Sequence, residues 1–327
     1  MKTKKLLIAI FMSIILPGMV FSVADKLIPN KEQPSIEAST ATQQLQETLA
    51  PEEISNMVSV LQDDGTSKSM ELEDYLVGVL LGEMPMDFDI EALKAQAIVA
   101  RTYTLRRNTT APKHQGGAVC TESACCQSYC SPENYKLRGG TESSVSKAVS
   151  AVAATRNQVL TYNGTLIEAT YFSCSGGRTE DAVAVWGTDI PYLQAVDSPG
   201  EENATHYTDS VSYTATAFEC LLGLKLSGSS ANWFGRVTYT EGGGVDTMVI
   251  GGVTFKGTDL RQKLGIRSTA FTITPLGDTI HITTKGFGHR VGMSQYGAEA
   301  MAVSGSNFQA ILAHYYPGTT ITGYNRN

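Results

Sequence analysis

Leu80-Leu81-Gly82-Glu83-Met84-Pro85, followed at once by the almost unbroken apolar run from Ile90 to Arg107, decides how this chain folds. Upstream of Glu83, residues Leu72 to Gly82 carry Leu76, Val77, Val79, Leu80 and Leu81, a density of apolar side chains that predicts a buried helix. Pro85 cannot continue that helix and pushes Met84 toward extended backbone, so Glu83 is expected on a corner at the helix C-terminus. The terminal carbonyls there raise a carboxyl pKa only slightly; a working acid at neutral pH also needs desolvation. Asp87 or Asp89 then caps a second helix. Its two stripes, Leu93, Ala97, Ala100 and Thr104 beside Ala95, Ile98, Thr102 and Leu105, carry it through the core. The polar exceptions are Lys94, Gln96, Arg101 and Tyr103. One reading has Lys94 and Arg101 snorkel from a core helix to the surface, the other has them serve a site.

Before this pair of helices, Lys2, Lys4 and Lys5 precede an apolar run over residues 6–24. At 1.5 Å per residue it is roughly 28 Å long, close to the thickness of a bilayer's hydrocarbon core. Ser22-Val23-Ala24 is an acceptable cleavage site, while the length favours a retained anchor. In either case residues 1–5 stay cytoplasmic and everything after residue 25 is exported. Residues 25–56, rich in Ser, Thr, Gln, Glu and Pro, read as a flexible linker with a short amphipathic patch near Ile54 to Leu61. Residues 57–327 remain for one domain. The net charge of −7 and the lack of a basic run argue against a nucleic-acid partner.

Four of the six cysteines, Cys120, Cys125, Cys126 and Cys130, crowd into eleven residues. His114 stands six before Cys120, and Cys126 six after it, a set that suits tetrahedral zinc with a carboxylate or water as fourth ligand. Disulfides such as Cys120 with Cys126 or Cys130 are natural in an exported chain, and six and six is not a standard finger spacing, which on spacing alone favours them. Both readings stay open.

Farther on, Ser143 to Thr155 reads as a helix and Gln158 to Ile167 as a hairpin turning at Asn163-Gly164, the pair a type I′ turn prefers. The second strand is expected to run through Glu168 to Phe172 into Ser173-Cys174-Ser175-Gly176-Gly177. Trp186 and Tyr192 follow in an irregular loop, where aromatics stack on sugar rings or plug a core. Residues 207–273 read as an accessory lobe, with a hairpin over Asp246 to Lys256 and a short helix opened by Thr258. Phe271 to Thr284 is a hairpin. It ends in Gly286-Phe287-Gly288-His289-Arg290-Val291-Gly292-Met293-Ser294-Gln295-Tyr296-Gly297, a glycine-rich loop feeding a helix that Ser294 caps. No Gly-Lys-Ser/Thr follows, so this is not a phosphate loop. His289 is the natural second titrating group, and Phe308 to Tyr315 the last helix.

Leu80 to Pro85, Leu93 to Tyr103, Ser175-Gly176-Gly177 with Thr179-Glu180, and Gly286 to Gly297 together resemble the stage II sporulation protein D family. The resemblance runs over residues 70–320 with gaps; its order and combination are specific although each motif alone is weak. It implies a membrane-tethered peptidoglycan lytic transglycosylase with the catalytic domain outside the mother-cell membrane, facing the forespore. In engulfment it would work beside an amidase that strips stem peptides and a membrane partner. The expected architecture is α+β, one exported catalytic domain of buried helices and antiparallel hairpins, with two lobes around a glycan cleft. The family's catalytic glutamate falls on Glu83, and the zinc site of some members on His114, Cys120 and Cys126, which raises zinc above the disulfides. That zinc is expected to be structural, and no organic cofactor is expected.

Lys94, Gln96, Arg101, Tyr103, Tyr171, Ser175, His289, Ser294 and Gln295 are the expected substrate-binding residues. Arg290 departs from the glycine usual in the family, and Cys174 from a small or hydroxyl residue, leaving a Cys174 to Cys220 disulfide open. Asp87 and Asp89 are explained as caps and Glu168 as an outward strand residue, so no second carboxylate is as well placed as Glu83. A single carboxyl suffices for a lytic transglycosylase, because the sugar supplies its own nucleophile; hydrolysing glycosidases normally use two. Two rivals stand beside this reading: a non-catalytic glycan-binding activator of a cell-wall amidase, and a cysteine peptidase pairing Cys174 with His289. The second lacks an evident Asn or Asp partner.

Overall fold

Pro85 acts as expected on the helix before it. In the computed structural model, which describes residues 57–62, 64–114 and 119–324, helix α1 spans Leu72–Glu83 and its cap Met84 takes φ −117° and ψ 139°. Helix α2, Ile90–Thr109, opens on Asp89 rather than Asp87: the Asp89 side chain accepts from the Glu91 N–H at 2.8 Å. The segments expected to anchor and tether the chain, residues 6–24 and 25–56, lie outside the described residues. No helix among the described residues is long and apolar enough to cross a membrane.

α1 and α2 are the centre of an α+β fold. Leu76, Leu80, Leu93, Ile98 and Val99 are fully buried in one hydrophobic cluster. Around them pack α3 (Pro132–Leu137), α4 (Glu142–Ala154, capped by Thr141) and a three-stranded sheet. Its central strand is Gln158–Tyr162, which pairs antiparallel with Thr165–Leu166 on one side and Thr320–Gly323 on the other. Asn163 (φ 50°) and Gly164 (φ 74°) close the hairpin with both central residues left-handed, the type I′ geometry their sequence predicts. After Leu166 the expected continuous strand breaks. Only Tyr171–Phe172 is extended, pairing parallel with Met293–Ser294. This brings the glycine-rich loop from 115 residues or more downstream against the middle of the chain.

A short helix α5, Ala182–Trp186, precedes a second hydrophobic cluster. Strands Thr208–Thr214, Phe271–Leu276 and Thr279–Lys285 form one antiparallel sheet, and Phe234–Tyr239, Val245–Ile250 and Val253–Lys256 another. Alternation along Thr279–Lys285 turns Ile280 and Ile282 inward, where they meet Phe218 and Leu222 of helix α6 (Ala215–Leu222) and Leu260 of helix α7 (Gly257–Lys263). The cluster thus extends past residue 273. α7 begins on Lys256 without a side-chain cap, so Thr258 does not open it. Helices α8 (Gln295–Val303) and α9 (Phe308–Tyr315) return to the first cluster, capped by Ser294 and Asn307.

Arg101 does not snorkel. It is fully buried, and its guanidinium meets the Glu73 carboxylate of α1 at 3.0 and 2.7 Å, with further bonds to the Val152 and Gln158 carbonyls. An apolar helix face cannot hold a lone cation, so the charge is matched across the α1–α2 contact instead of being carried to water. The disulfides considered from sequence do not form: all six cysteines are free, with Cys174 buried and Cys220 exposed.

Candidate active site

The site is built outward from Gly82. A Cβ there would stand 2.9 Å from the Ser128 carbonyl and the Tyr129 nitrogen, so glycine lets the segment after the cysteines close on the end of α1. That approach puts the Ser128 N–H 2.5 Å from Glu83 Oε1. Gln295 Nε2, at the start of α8, reaches the other oxygen at 3.5 Å. The Tyr171 hydroxyl, which donates to Gln127 Oε1 at 3.3 Å, lies beside the same carboxyl. Burial raises the Glu83 pKa above the usual carboxylate range, against these donors, which favour the charged form. Among the described residues Glu83 takes part in no ion pair.

Glu83 opens onto a groove of about 970 Å³. Tyr103, Tyr171, Gln295, Phe172, Phe287 and Trp186 share its walls. A second carboxylate, Glu168, faces the same space, but not as an outward strand residue. Arg106 Nε donates to it at 3.0 Å, and Arg107 donates to its other oxygen. His289 sits between aromatic rings, 5.7 Å from Phe172 and 5.5 Å from Trp186, and its Nδ1 accepts from the Val291 N–H at 3.1 Å. Burial, with the nearby Arg261 charge, pushes its pKa down to about 4. The imidazole is therefore neutral at neutral pH and does not titrate there, contrary to the expectation from sequence.

Of the residues proposed from sequence, the structure gathers Glu83, Tyr103, Tyr171, His289 and Gln295 along this groove. Five others go elsewhere. Lys94 pairs with Glu91 at 2.6 Å and lies over the Phe308 ring; Arg101 is locked to Glu73. Gln96 is fully buried on α2, its side-chain amide without a protein partner. Ser175 is buried against Glu201, which accepts from its N–H at 2.7 Å and its hydroxyl at 2.8 Å. Ser294 is buried as the cap of α8, its hydroxyl accepting from the Gly297 N–H. Lys94, Gln96 and Arg101 stand out as polar residues of an apolar helix, Ser175 and Ser294 as hydroxyls in glycine-rich segments, and all but Gln96 answer a local or buried polar need.

Cys174, the nucleophile of the peptidase reading, is fully buried and donates to Glu201 Oε2 at 3.2 Å; burial pushes its thiol pKa far up. That suppresses the thiolate a peptidase needs. Arg290 is also buried. Its guanidinium donates to the carbonyls of Ser175, Arg178 and Gly242 at 2.7 to 2.8 Å and to Glu180 Oε1 at 3.1 Å. Its backbone holds φ 66°, a left-handed conformation that glycine adopts more readily. Arg290 therefore ties three chain segments together instead of touching the groove.

Cys125 and Cys126 line the groove wall with Tyr103, and the ligand atoms of His114, Cys120, Cys125 and Cys126 lie within 4.8 Å of one another. Cys125 Sγ stands 3.5 Å from His114 Nε2 and 3.9 Å from Cys126 Sγ, and Cys126 Sγ stands 3.4 Å from the same nitrogen. A tetrahedron with zinc–sulfur distances of about 2.3 Å and a zinc–nitrogen distance of about 2.0 Å has edges of roughly 3.8 and 3.5 Å. The donor set and its spacing fit that ion. A disulfide at about 2.05 Å is not what these sulfurs make. Cys125 was missed in the sequence because it adjoins Cys126, and neighbours in a chain ordinarily diverge; only the turn over residues 122–126 points both sulfurs inward. Cys130 stays out of the cluster, its thiol directed to the Ser131 carbonyl.

The sequence has relatives. The profile of the family described as SpoIID, stage II sporulation protein, matches residues 62–162. Stage II sporulation protein D of Bacillus subtilis (strain 168) is 44% identical over 260 aligned residues, covering 78% of this chain and 75% of its own. Its counterpart from Bacillus amyloliquefaciens is 41% identical over the same shares. A protein named amidase enhancer from Bacillus subtilis (strain 168) is 31% identical, covering 76% of this chain and 40% of its own.

Proposed function

Because this chain belongs to the stage II sporulation protein D family, we propose that it is a lytic transglycosylase that cleaves peptide-stripped peptidoglycan strands during engulfment of the forespore. The observation that carries the reading is Glu83: a carboxyl whose pKa burial raises, held by Ser128 and Gln295 at the edge of an aromatic-lined groove. Protonated Glu83 donates its proton to the glycosidic oxygen between N-acetylmuramic acid and N-acetylglucosamine, and the bond from C1 to that oxygen breaks. The C6 hydroxyl oxygen of the same muramic acid then bonds to C1, and its proton passes to the Glu83 carboxylate. The products are a 1,6-anhydro end and a free 4-hydroxyl, and Glu83 is ready for another cycle.

The other groove carboxylate is engaged by two arginines, which suits it to shaping the wall rather than sharing a proton. Neutral His289 and the hydroxyls of Tyr103 and Tyr171 offer hydrogen bonds to acetamido and hydroxyl groups, and Trp186 offers a face to a sugar ring.

His114, Cys120, Cys125 and Cys126 would hold a zinc ion. With four protein ligands and no open position, its chemistry is that of a crosslink. The residues it would staple lead directly to Ser128, so the cluster positions the donor that holds Glu83. The exported domain is read as tethered by residues 6–24 to the mother-cell membrane, beside a stem-peptide amidase and a membrane partner.

The second reading is a non-catalytic glycan-binding activator of such an amidase; the 31% identity to a protein named amidase enhancer favours it. Mass spectrometry of peptide-free strands incubated with the purified full-length protein separates the two. Transglycosylation yields 1,6-anhydro ends, which Glu83→Gln abolishes while strand binding persists. An activator releases no new ends, and a Glu83→Gln variant that kept its rate would sink the mechanism.

A further inference from the structure

Three cations, Arg107, Lys113 and Arg261, face the groove of a chain whose net charge is −7. Two carboxyls face them. Glu168 is already paired with Arg106 and Arg107, and burial favours the neutral form of Glu83. The charge left over along the groove is positive.

Arg261, which projects from α7 into the groove, carries one of these charges. The side chain is half-buried, and its Nε donates to the Arg267 carbonyl at 3.2 Å. Among the described residues it takes part in no ion pair. A guanidinium drawn out of water without an anion is unfavourable, and its terminal N–H groups present the fork that a carboxylate fills with two parallel hydrogen bonds. Arg261 is close enough to His289 for its charge to act on that ring, and the same ring is 5.5 Å from Trp186. A cation, a neutral imidazole and an indole thus share one stretch of the wall, which suits a ligand that is a sugar with an acid attached.

The geometry points to Arg261 as the receptor for a saccharide carboxylate: the lactyl carboxylate that N-acetylmuramic acid exposes once its stem peptide is gone. The assignment rests on the glycan reading above. In a peptide-bearing strand that carboxyl is consumed in an amide, and the remaining carboxylates lie farther out along the stem. Arg261 would therefore distinguish stripped strands from unstripped ones, and the reaction that supplies this substrate must be hydrolysis of the lactyl amide.

The test measures affinities of the full-length protein in detergent for three ligands: peptide-free strands, the same strands with lactyl carboxylates converted to neutral methylamides, and strands that keep their stems. Peptide-free strands are expected to bind about tenfold tighter than methylamide strands, as one charge-assisted contact implies. In Arg261→Gln that ratio falls to about one, and in Arg261→Lys, which keeps the charge but not the fork, it is intermediate. A wild-type ratio of one, or an unchanged ratio in Arg261→Gln, overturns the assignment. So does tighter binding of stem-bearing strands, which would place the recognised carboxylate on the peptide. All three arms read binding, so a protein that shows the ratio but releases no anhydro ends refutes the enzyme reading alone, and one that releases them without the ratio refutes Arg261 alone.

Discussion

The backbone N–H of Ser128 donates to Glu83 Oε1 at 2.5 Å, two residues past Cys126 and beside Gly82, where α1 has no Cβ to keep the chain away. One hydrogen bond therefore joins the cysteine cluster to the carboxyl that does the proposed chemistry. It favours the charged carboxylate, while burial opposes it more strongly.

Glu83 sets a pH dependence whose sign can be worked out. Its folded pKa is raised, so its contribution to stability is fully present below the unfolded carboxyl pKa and is lost as pH rises through the raised value. Glu83→Gln should therefore melt above the wild type at neutral pH, with the gap closing on acidification. Over the same upper limb the wild-type cleavage rate should fall as the acid form is depleted. Melting curves and initial rates at matched pH values check both limbs.

Zinc analysis of the purified protein should find one ion per chain, lowered in Cys125→Ser and unchanged in Cys130→Ser, whose thiol lies outside the cluster. A chelator should lower the melting temperature together with activity. Loss of activity at an unchanged melting temperature would contradict the crosslinking role.

Arg101→Ala leaves Glu73 without its partner across the α1–α2 contact. Breaking a buried ion pair from one side should destabilise the fold by about 3–5 kcal/mol. Arg101→Met paired with Glu73→Gln should recover much of it. Denaturant unfolding of the three variants is the measurement.

Arg290→Gly trades a strained backbone for the loss of a buried guanidinium. Breaking the Glu180 pair costs about 3–5 kcal/mol, and relief of the left-handed conformation returns roughly 1–2 kcal/mol, so a net loss of stability is expected. A double-mutant cycle with Glu180→Gln isolates the pair. Strand affinity should survive in variants that remain folded, because neither side chain lines the groove.

Trp186 is 43% exposed on the groove wall. Trp186→Ala should weaken strand binding about tenfold, in line with loss of an aromatic stacking face, while the melting temperature stays put. A change in stability with no change in affinity would assign the indole to packing.

Most of the local structure was legible in the chain. The break at Pro85, the cap at Ser294, the Asn163-Gly164 turn and the hairpin over 271–284 depend on residues no more than a few positions apart. Substrate contacts were harder to read. Lys94, Gln96 and Arg101 stand out as polar groups in an apolar helix, and Ser175 and Ser294 as hydroxyls in glycine-rich segments, but a polar residue inside a core has its own need for a partner. Arg101 finds Glu73 and Ser175 finds Glu201, and only folding shows which need is met internally.

What the sequence determined by itself is therefore the secondary structure around Glu83, that residue's place on a corner, and the family to which the chain belongs. The tertiary structure decided that Cys125 joins the His114 cluster, that His289 is neutral, that Arg290 is internal, and that Arg261 faces the groove without an ion-pair partner among the described residues. Caps, turns and helix breaks are settled within one or two turns of backbone. Charge and burial are settled by neighbours that packing brings from farther along the chain, from 28 residues away for Arg101 and Glu73 to 110 for Arg290 and Glu180, and the ligand geometry by a turn that folds a short loop onto itself.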